Sequence, residues 1–110
     1  APAFGTAHGL YKGEPKLDFK RLEEISRRVK IPIVMHGASG VPEETVRKSL
    51  QYGVSKINIS TELKIPFAEE LRQYLLDHPS ESDPRKYFRT ARQAVKDIVK
   101  QKIAMVQKKM

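Results

Sequence analysis

The chain has 110 residues, 39% of them hydrophobic, so it is long enough for one small domain with a modest core. Cysteine is absent, which excludes a disulfide framework and any thiolate metal site. No apolar run approaches the roughly 18 residues of a membrane span and no secretory signal opens the chain, so we expect a cytoplasmic protein without a membrane partner.

The formal net charge of +8 is concentrated at one end of the chain. Residues 1–84 carry 12 Lys or Arg against 12 Asp or Glu, whereas residues 85–110 carry nine against Asp97 alone. The apolar residues of this last segment are spaced as on one helix face, which predicts a basic helix over about 84–107. The face predicted to pack consists of Phe88, Val95, Val99, Ile103 and Val106. Since no aromatic platform or reader motif accompanies the charge, we expect no nucleic-acid partner.

In chain order, a short apolar stretch leads into the first histidine of Thr6-Ala7-His8-Gly9, and we expect it to be the end of a strand. A loop with Gly13 and Pro15 follows. Asp18 can cap a helix that runs to about Lys30. The apolar face of that helix is predicted to be Phe19, Leu22, Ile25 and Val29.

The second histidine ends an apolar run, Ile31 to His36, that predicts a buried strand. Because side chains alternate along a strand, His36 shares a face with Val34 and stands at the carboxyl end. Gly37-Ala38-Ser39-Gly40 is typical of a tight turn, and Pro42 with two following glutamates favours a helix start. Val46 and Leu50 are predicted to face inward, and Gly53 is predicted to end the helix.

A third strand is predicted over residues 54–60, with Ile57 and Ile59 toward covering helices. Its other face carries the polar Lys56, Asn58 and Ser60, whose burial costs free energy unless they have partners. We therefore expect that face to serve a site.

The last two predicted elements follow this strand. Apolar residues recur every four positions, which predicts a helix, and Pro66 predicts an irregular start to it. The repeated residues are Leu63, Phe67, Leu71 and Leu75. A polar loop over 78–84, with His78 on the surface, leads into the basic helix.

The order of elements, strands alternating with helices through short connections, predicts an α/β fold with a parallel sheet. His36 would then lie at the carboxyl edge of the sheet, beside a Gly-rich turn whose backbone N–H groups suit an anion. The pattern predicts histidine chemistry next to a bound anion.

Three motifs in this order and spacing carry a resemblance to a known family. They are Gly5-Thr6-Ala7-His8-Gly9, His36-Gly37-Ala38-Ser39-Gly40 and Asn58-Ile59-Ser60-Thr61-Glu62. Over essentially its whole length, including Asp83-Pro84-Arg85, the chain resembles the C-terminal part of class II, metal-dependent fructose-bisphosphate and tagatose-bisphosphate aldolases. The resemblance implies that residues 1–110 are a single segment, the C-terminal third of a (β/α)8 TIM barrel, with the end of strand six, strands seven and eight, and their helices.

The resemblance also implies a lyase of glycolysis or related carbohydrate metabolism. Its reaction is reversible cleavage of a ketose 1,6-bisphosphate to dihydroxyacetone phosphate and glyceraldehyde 3-phosphate. His8 and His36 match two of the three zinc ligands, and zinc with open positions is a suitable Lewis acid. The third ligand and the aspartate acid/base belong to the N-terminal part of the barrel. We therefore expect this fragment to be inactive without the N-terminal part of the barrel. We expect the complete protein to be a homo-oligomer, either a dimer or a tetramer.

Further residues match family positions that contact substrate. Asn58 matches the catalytic residue that hydrogen-bonds the enediolate. Lys56 matches a nearby basic position, and Arg85 matches an arginine that binds the distal phosphate. Gly9 matches a position near the substrate and a monovalent cation. The positions that match the phosphate site of dihydroxyacetone phosphate are Gly37, Ser39, Ser60 and Thr61.

Several alternatives stay open on the sequence alone. Ser39 and Thr61 could serve as helix caps, Asn58 as a core residue paired with backbone, and Arg85 as a surface residue at a helix start. A non-catalytic phosphate-binding barrel relative and a basic nucleic-acid-binding domain are the alternative functions. No residue distinguishes fructose from tagatose bisphosphate.

Overall fold

A computed structural model of the chain describes residues 1–107 and shows a mixed α/β structure. The described residues divide into two compact units, Ala1–Thr61 and residues 62–107. No helix within residues 1–107 is both long and apolar enough to cross a membrane. The elements are α1 (Phe19–Arg28), β1 (Ile33–Met35), α2 (Glu43–Gln51), β2 (Val54–Ile57), α3 (Thr61–Asp77), α4 (Pro84–Tyr87) and α5 (Arg89–Gln107).

The first unit contains the predicted parallel pair of strands, β1 and β2, joined through α2. Val34 lies opposite Lys56 and Met35 opposite Ile57, while an irregularity separates these pairs from Ile33 and Val54. The strict alternation predicted from residue 54 is therefore interrupted at Ser55 and holds from Lys56 onward. As a result, Lys56 shares the face of Val34, and the faces of both strands near their carboxyl ends are as predicted.

The core of the first unit follows the predicted helix faces in part, because Val29, the last residue of the predicted α1 face, is 38% exposed. Met35 from β1, Leu22 from α1 and Val46 from α2 are buried together with Phe4. Ser49 is also buried, and its hydroxyl donates to the Val46 carbonyl at 2.6 Å, which satisfies it inside the core.

The predicted ends of α1 and α2 are close to the observed ones. The Asp18 side chain accepts from the Arg21 N–H at 3.0 Å, so the predicted cap of α1 is confirmed. Pro42 is the N-cap of α2 and not its first helical residue. Gly53 has φ +114°, which suits the predicted stop after that helix.

The segment before His8 differs from its prediction as a strand end. No strand is formed there within the described residues. Instead, the Phe4 carbonyl accepts from the Asp18 N–H at 2.7 Å, and the Phe4 side chain enters the core. A strand is stabilised by a ladder of backbone hydrogen bonds to a neighbouring strand. Here the segment is instead hydrogen-bonded to the start of α1.

The predicted irregular start of α3 is wrong, because α3 is continuous from Thr61 to Asp77 with Pro66 inside it. Pro66 lacks the N–H that would bond the Glu62 carbonyl, and the remaining turns of a 17-residue helix tolerate the loss of that bond. The four-residue spacing also drifts by about 40° per step on a helix of 3.6 residues per turn. Leu75, the last of the predicted face, is accordingly 40% exposed.

The C-terminal segment forms two helices, because Phe88 caps the short α4 before α5 begins. The predicted packing face of the C-terminal segment is wrong in part: Phe88 and Val95 are half-buried, but Val99, Ile103 and Val106 are 39–49% exposed. Ala91 and Met105 are buried instead. They lie 14 residues apart, near four full turns, so they share one face.

Candidate functional site

The two family histidines of the first unit lie side by side. The His8 and His36 ring centroids are 5.8 Å apart with an interplanar angle of 33°, and both side chains are exposed. Two imidazoles on one tetrahedral zinc, with zinc–nitrogen bonds of about 2.0–2.1 Å, have centroids roughly 5–5.5 Å apart. The observed separation is therefore close to that of two rings sharing one ion.

The ends of the two strands position the polar side chains at this place. His36 follows β1 directly, and the Asn58 N–H extends the ladder by donating to the Met35 carbonyl at 2.9 Å. The Asn58 side-chain amide then lies 3.1 Å from His36 Nδ1. A polar partner on one ring nitrogen fixes the orientation and tautomer of a histidine.

The turn after His36 also touches the segment that carries His8. Gly37 has φ +69°, and a Cβ there would lie 2.3 Å from the Ala7 carbonyl oxygen. The Tyr11 hydroxyl joins the same two places: it donates to the Gly37 carbonyl at 2.6 Å and accepts from the Ala7 N–H at 2.8 Å. The sequence reasoning missed Tyr11, although a lone aromatic three residues after a histidine was the available signal.

Replacing Gly37 with alanine is expected to destabilise the chain by more than about 1–2 kcal/mol, the cost of the left-handed conformation alone. The new methyl group would also overlap the Ala7 backbone, which cannot move away without moving His8. Chemical denaturation measures the free energy of unfolding. Gly13→Ala is the matched control, because Gly13 has no positive φ and open space at its Cβ. Equal effects of the two substitutions would contradict the close approach.

A small cavity of about 70 Å³ is lined by His8 and not by His36. It is far below the size of pockets that enclose a whole ligand. Its lining residues come from three segments: His8, Gly9, Gly37, Ser39, Asn58, Ile59, Ser60 and Thr61.

Two turns that precede helices meet at this cavity. After β1, the Val41 N–H donates to the Ala38 carbonyl at 3.1 Å, and Gly40 at φ +81° holds the turn. After β2, Ser60 leads into α3, which begins at Thr61. Helix N-termini carry unpaired N–H groups and the positive end of the dipole. Thr61, the first residue of α3, lines the cavity, so the second turn has the character of an anion site, whereas α2 begins at Glu43, outside the lining.

Two predicted substrate contacts are not in the cavity lining. Lys56 is exposed on β2 opposite Val34. Arg85 belongs to the second unit, where its guanidinium binds the Asp83 carboxylate in a fork with contacts of 2.8 and 3.0 Å. These hydrogen bonds lower the pKa of the Asp83 carboxyl. The phosphate role of Arg85 stays a prediction.

Within residues 1–107 there is no cluster of three or more histidine or acidic side chains that could hold a metal ion. The described part of the chain therefore offers the His8 and His36 pair as protein ligands, and Asn58 lies beside His36.

Solved structures similar to this chain are aldolases. The YdjI aldolase from Escherichia coli K12 is 30% identical with a TM-score of 0.75, over 96% of this chain and 38% of that one. A proposed fructose-1,6-bisphosphate aldolase from Coccidioides immitis is 25% identical with a TM-score of 0.85, over 96% and 36%. The fructose-bisphosphate aldolase of Campylobacter jejuni, at 24% identity and a TM-score of 0.72 over 94% and 38%, supports the fold alone.

These matches define an α/β segment of aldolase type that spans 36–38% of the length of the solved chains. The family described as fructose-bisphosphate aldolase class-II matches residues 1–109. The chain therefore belongs to the class II fructose-bisphosphate aldolase family, and the resemblance seen in its three motifs is confirmed.

Proposed function

We propose that the intact protein containing this segment catalyses the zinc-dependent, reversible aldol cleavage of a ketose 1,6-bisphosphate. The products are dihydroxyacetone phosphate and glyceraldehyde 3-phosphate. The observation that carries the proposal is the 5.8 Å separation of His8 and His36, with His8 and the His36 neighbour Asn58 lining a cavity between two turns that precede helices. The segment would be the C-terminal third of a (β/α)8 barrel, in keeping with its partial coverage of the solved aldolases.

The residues present fit a zinc ion. Neutral imidazoles are common zinc ligands, and their exposed rings leave room for a third protein ligand from the rest of the barrel. When bound, zinc supplies Lewis-acid polarisation of the ketone and of the oxygen that becomes negative. The aspartate acid/base would also come from the rest of the barrel.

Asn58 is proposed to have two tasks at this centre. Its side-chain amide lies 3.1 Å from His36 Nδ1, and with its oxygen turned to accept the Nδ1–H it would orient the ring and leave Nε2 for zinc. The same amide is a hydrogen-bond donor in the cavity lining, and a donor aimed at developing negative charge lowers the barrier more than it aids binding. The alternative of a core asparagine paired with backbone is not supported, because Asn58 is half-buried and faces a histidine.

The substrate phosphate is proposed to bind at the two turns. Gly37 and Ser39 come from one turn, and Ser60 and Thr61 from the other. A cavity of about 70 Å³ is far smaller than the roughly 300–1,000 Å³ of pockets that enclose a ligand, so the sugar and its distal phosphate must extend beyond it. Gly9, in the same lining, is the proposed neighbour of substrate and of a monovalent cation.

Lys56 and Arg85 are proposed substrate contacts on family resemblance alone. The described geometry leaves both outside the cavity lining. The homo-oligomeric state and a cytoplasmic location likewise stay predictions.

The test is metal content and aldol cleavage of the intact protein, with fructose and tagatose bisphosphates assayed in parallel. One zinc per chain and turnover that disappears with a chelator and returns with zinc are expected. Bound phosphate without zinc or turnover would instead identify a non-catalytic phosphate-binding relative. Salt-dependent binding to random DNA, without zinc binding and without turnover, would identify a basic nucleic-acid binder.

A further inference from the structure

We propose that Tyr11 is a positioning residue that sets the separation of His8 and His36, and with it the zinc affinity of the site. The inference rests on the proposed function, because it assigns the two rings to one ion. Tyr11 itself does not line the cavity beside the rings. It would act on the metal only through the backbone on either side.

The argument starts from where the two hydrogen bonds of the hydroxyl end. Ala7, whose N–H donates to the hydroxyl, directly precedes His8. Gly37, whose carbonyl accepts from it, directly follows His36. A single oxygen atom therefore joins the neighbours of both proposed ligands, across 26 positions of sequence between Tyr11 and Gly37.

The two bonds also complement each other. A hydroxyl has one donor and two acceptor positions, and here its proton is used by Gly37 while a lone pair is used by Ala7. Both contacts, at 2.6 and 2.8 Å, lie in the range of well-formed hydrogen bonds. Each bond fixes the direction of the other, so the hydroxyl defines an angle between the two segments as well as a distance.

Packing of the segment around Ala7 against the turn at Gly37 is not sufficient by itself to define this geometry. The contact between Gly37 and the Ala7 backbone limits how closely the segments approach. It does not prevent them from sliding or separating. Metal ligands need placement to within about 0.5 Å, and the hydroxyl bridge supplies the restraint that the contact lacks.

Removing only the hydroxyl tests the idea with little change in packing. The Tyr11 ring lies next to the Gly40 turn, with Cδ2 3.4 Å from the position of a Cβ there, and phenylalanine keeps that ring. Tyr11→Phe in the intact protein is expected to weaken zinc binding by about 10–100-fold, as for other outer residues that orient metal ligands. Competition with a chromogenic chelator measures the affinity, and cobalt substitution reports ligand geometry through its visible spectrum.

Tyr52→Phe is the matched control. Like Tyr11→Phe, it removes one hydroxyl oxygen from the first unit. The Tyr52 ring packs on Phe19 at a centroid distance of 5.3 Å and does not line the cavity. We expect it to leave zinc affinity and the cobalt spectrum unchanged. At saturating zinc, Tyr11→Phe should recover much of its turnover, because both proposed zinc ligands, His8 and His36, are still present.

The outcomes separate this proposal from the proposed function. If the unmodified protein binds zinc and Tyr11→Phe binds it equally well, the positioning role is overturned and the aldolase proposal stands. If the unmodified protein binds no zinc, both fall. Denaturation of the metal-free proteins decides the remaining case: a Tyr11→Phe protein that is unfolded under the assay conditions would make Tyr11 a structural residue and overturn the proposal.

Discussion

Replacing His36 with alanine in the intact protein is expected to abolish both zinc binding and aldol cleavage. The substitution removes a proposed ligand outright, so the loss of affinity should exceed the roughly 10–100-fold that follows loss of an outer residue. It also removes the partner of the Asn58 amide, 3.1 Å away. Metal analysis of the purified protein and a coupled assay for dihydroxyacetone phosphate measure the two losses.

His78→Ala is the control for that substitution. His78 is exposed at the end of α3, where its ring stacks on Tyr74 at 4.3 Å and its Nδ1 lies 3.2 Å from the Tyr74 carbonyl. The His78→Ala protein should therefore keep full zinc content and turnover. Because His36 is itself exposed, its replacement should leave the fold stable. A His36→Ala protein that retains stoichiometric zinc would contradict the metal assignment.

The 110-residue chain on its own is expected to be inactive toward either bisphosphate, even with zinc added. The described residues offer two histidines for the ion, and a tetrahedral catalytic site uses three protein ligands. The lack of a positioned acid/base costs a further factor of roughly 10²–10⁴ in rate. Turnover is measured with the purified chain, zinc and each sugar.

Activity should return when the N-terminal remainder of the barrel is supplied as a separate chain. The sheet of the first unit has two strands, so each strand has an unpaired edge to which further strands could add. Repeating the addition with a His36→Ala version of this chain is the control, and it should give no activity. Robust turnover by the 110-residue chain alone would refute the reading of this segment as one third of a catalytic barrel.

The local order of elements was predictable because it rests on local physics. The cap at Asp18, the stop at Gly53 and the parity that places His36 and Asn58 on one face follow from side-chain hydrogen bonding, glycine conformation and strand alternation. Three short motifs at fixed spacing were sufficient for the family, which the match over residues 1–109 confirms.

The packing faces of the long helices were not predictable in the same way. Val99 and Ile103 have the right spacing for a buried stripe, yet α5 buries Ala91 and Met105. Spacing shows that a face exists, while shape and neighbours decide which of two apolar faces packs. Pro66 shows the same limit, since a continuous helix absorbed a residue that local preference disfavours there.

The sequence by itself determined which residues carry chemistry: the two histidines, the asparagine and the two turns that precede helices. Only the tertiary structure decided how they meet. The parallel pairing of β1 and β2 brings Asn58 to His36. The Tyr11 bridge and the Gly37 contact bring His8 to the same place. Contacts between residues 22 to 30 positions apart depend on how the whole unit closes, and no local pattern of side chains specifies that closure.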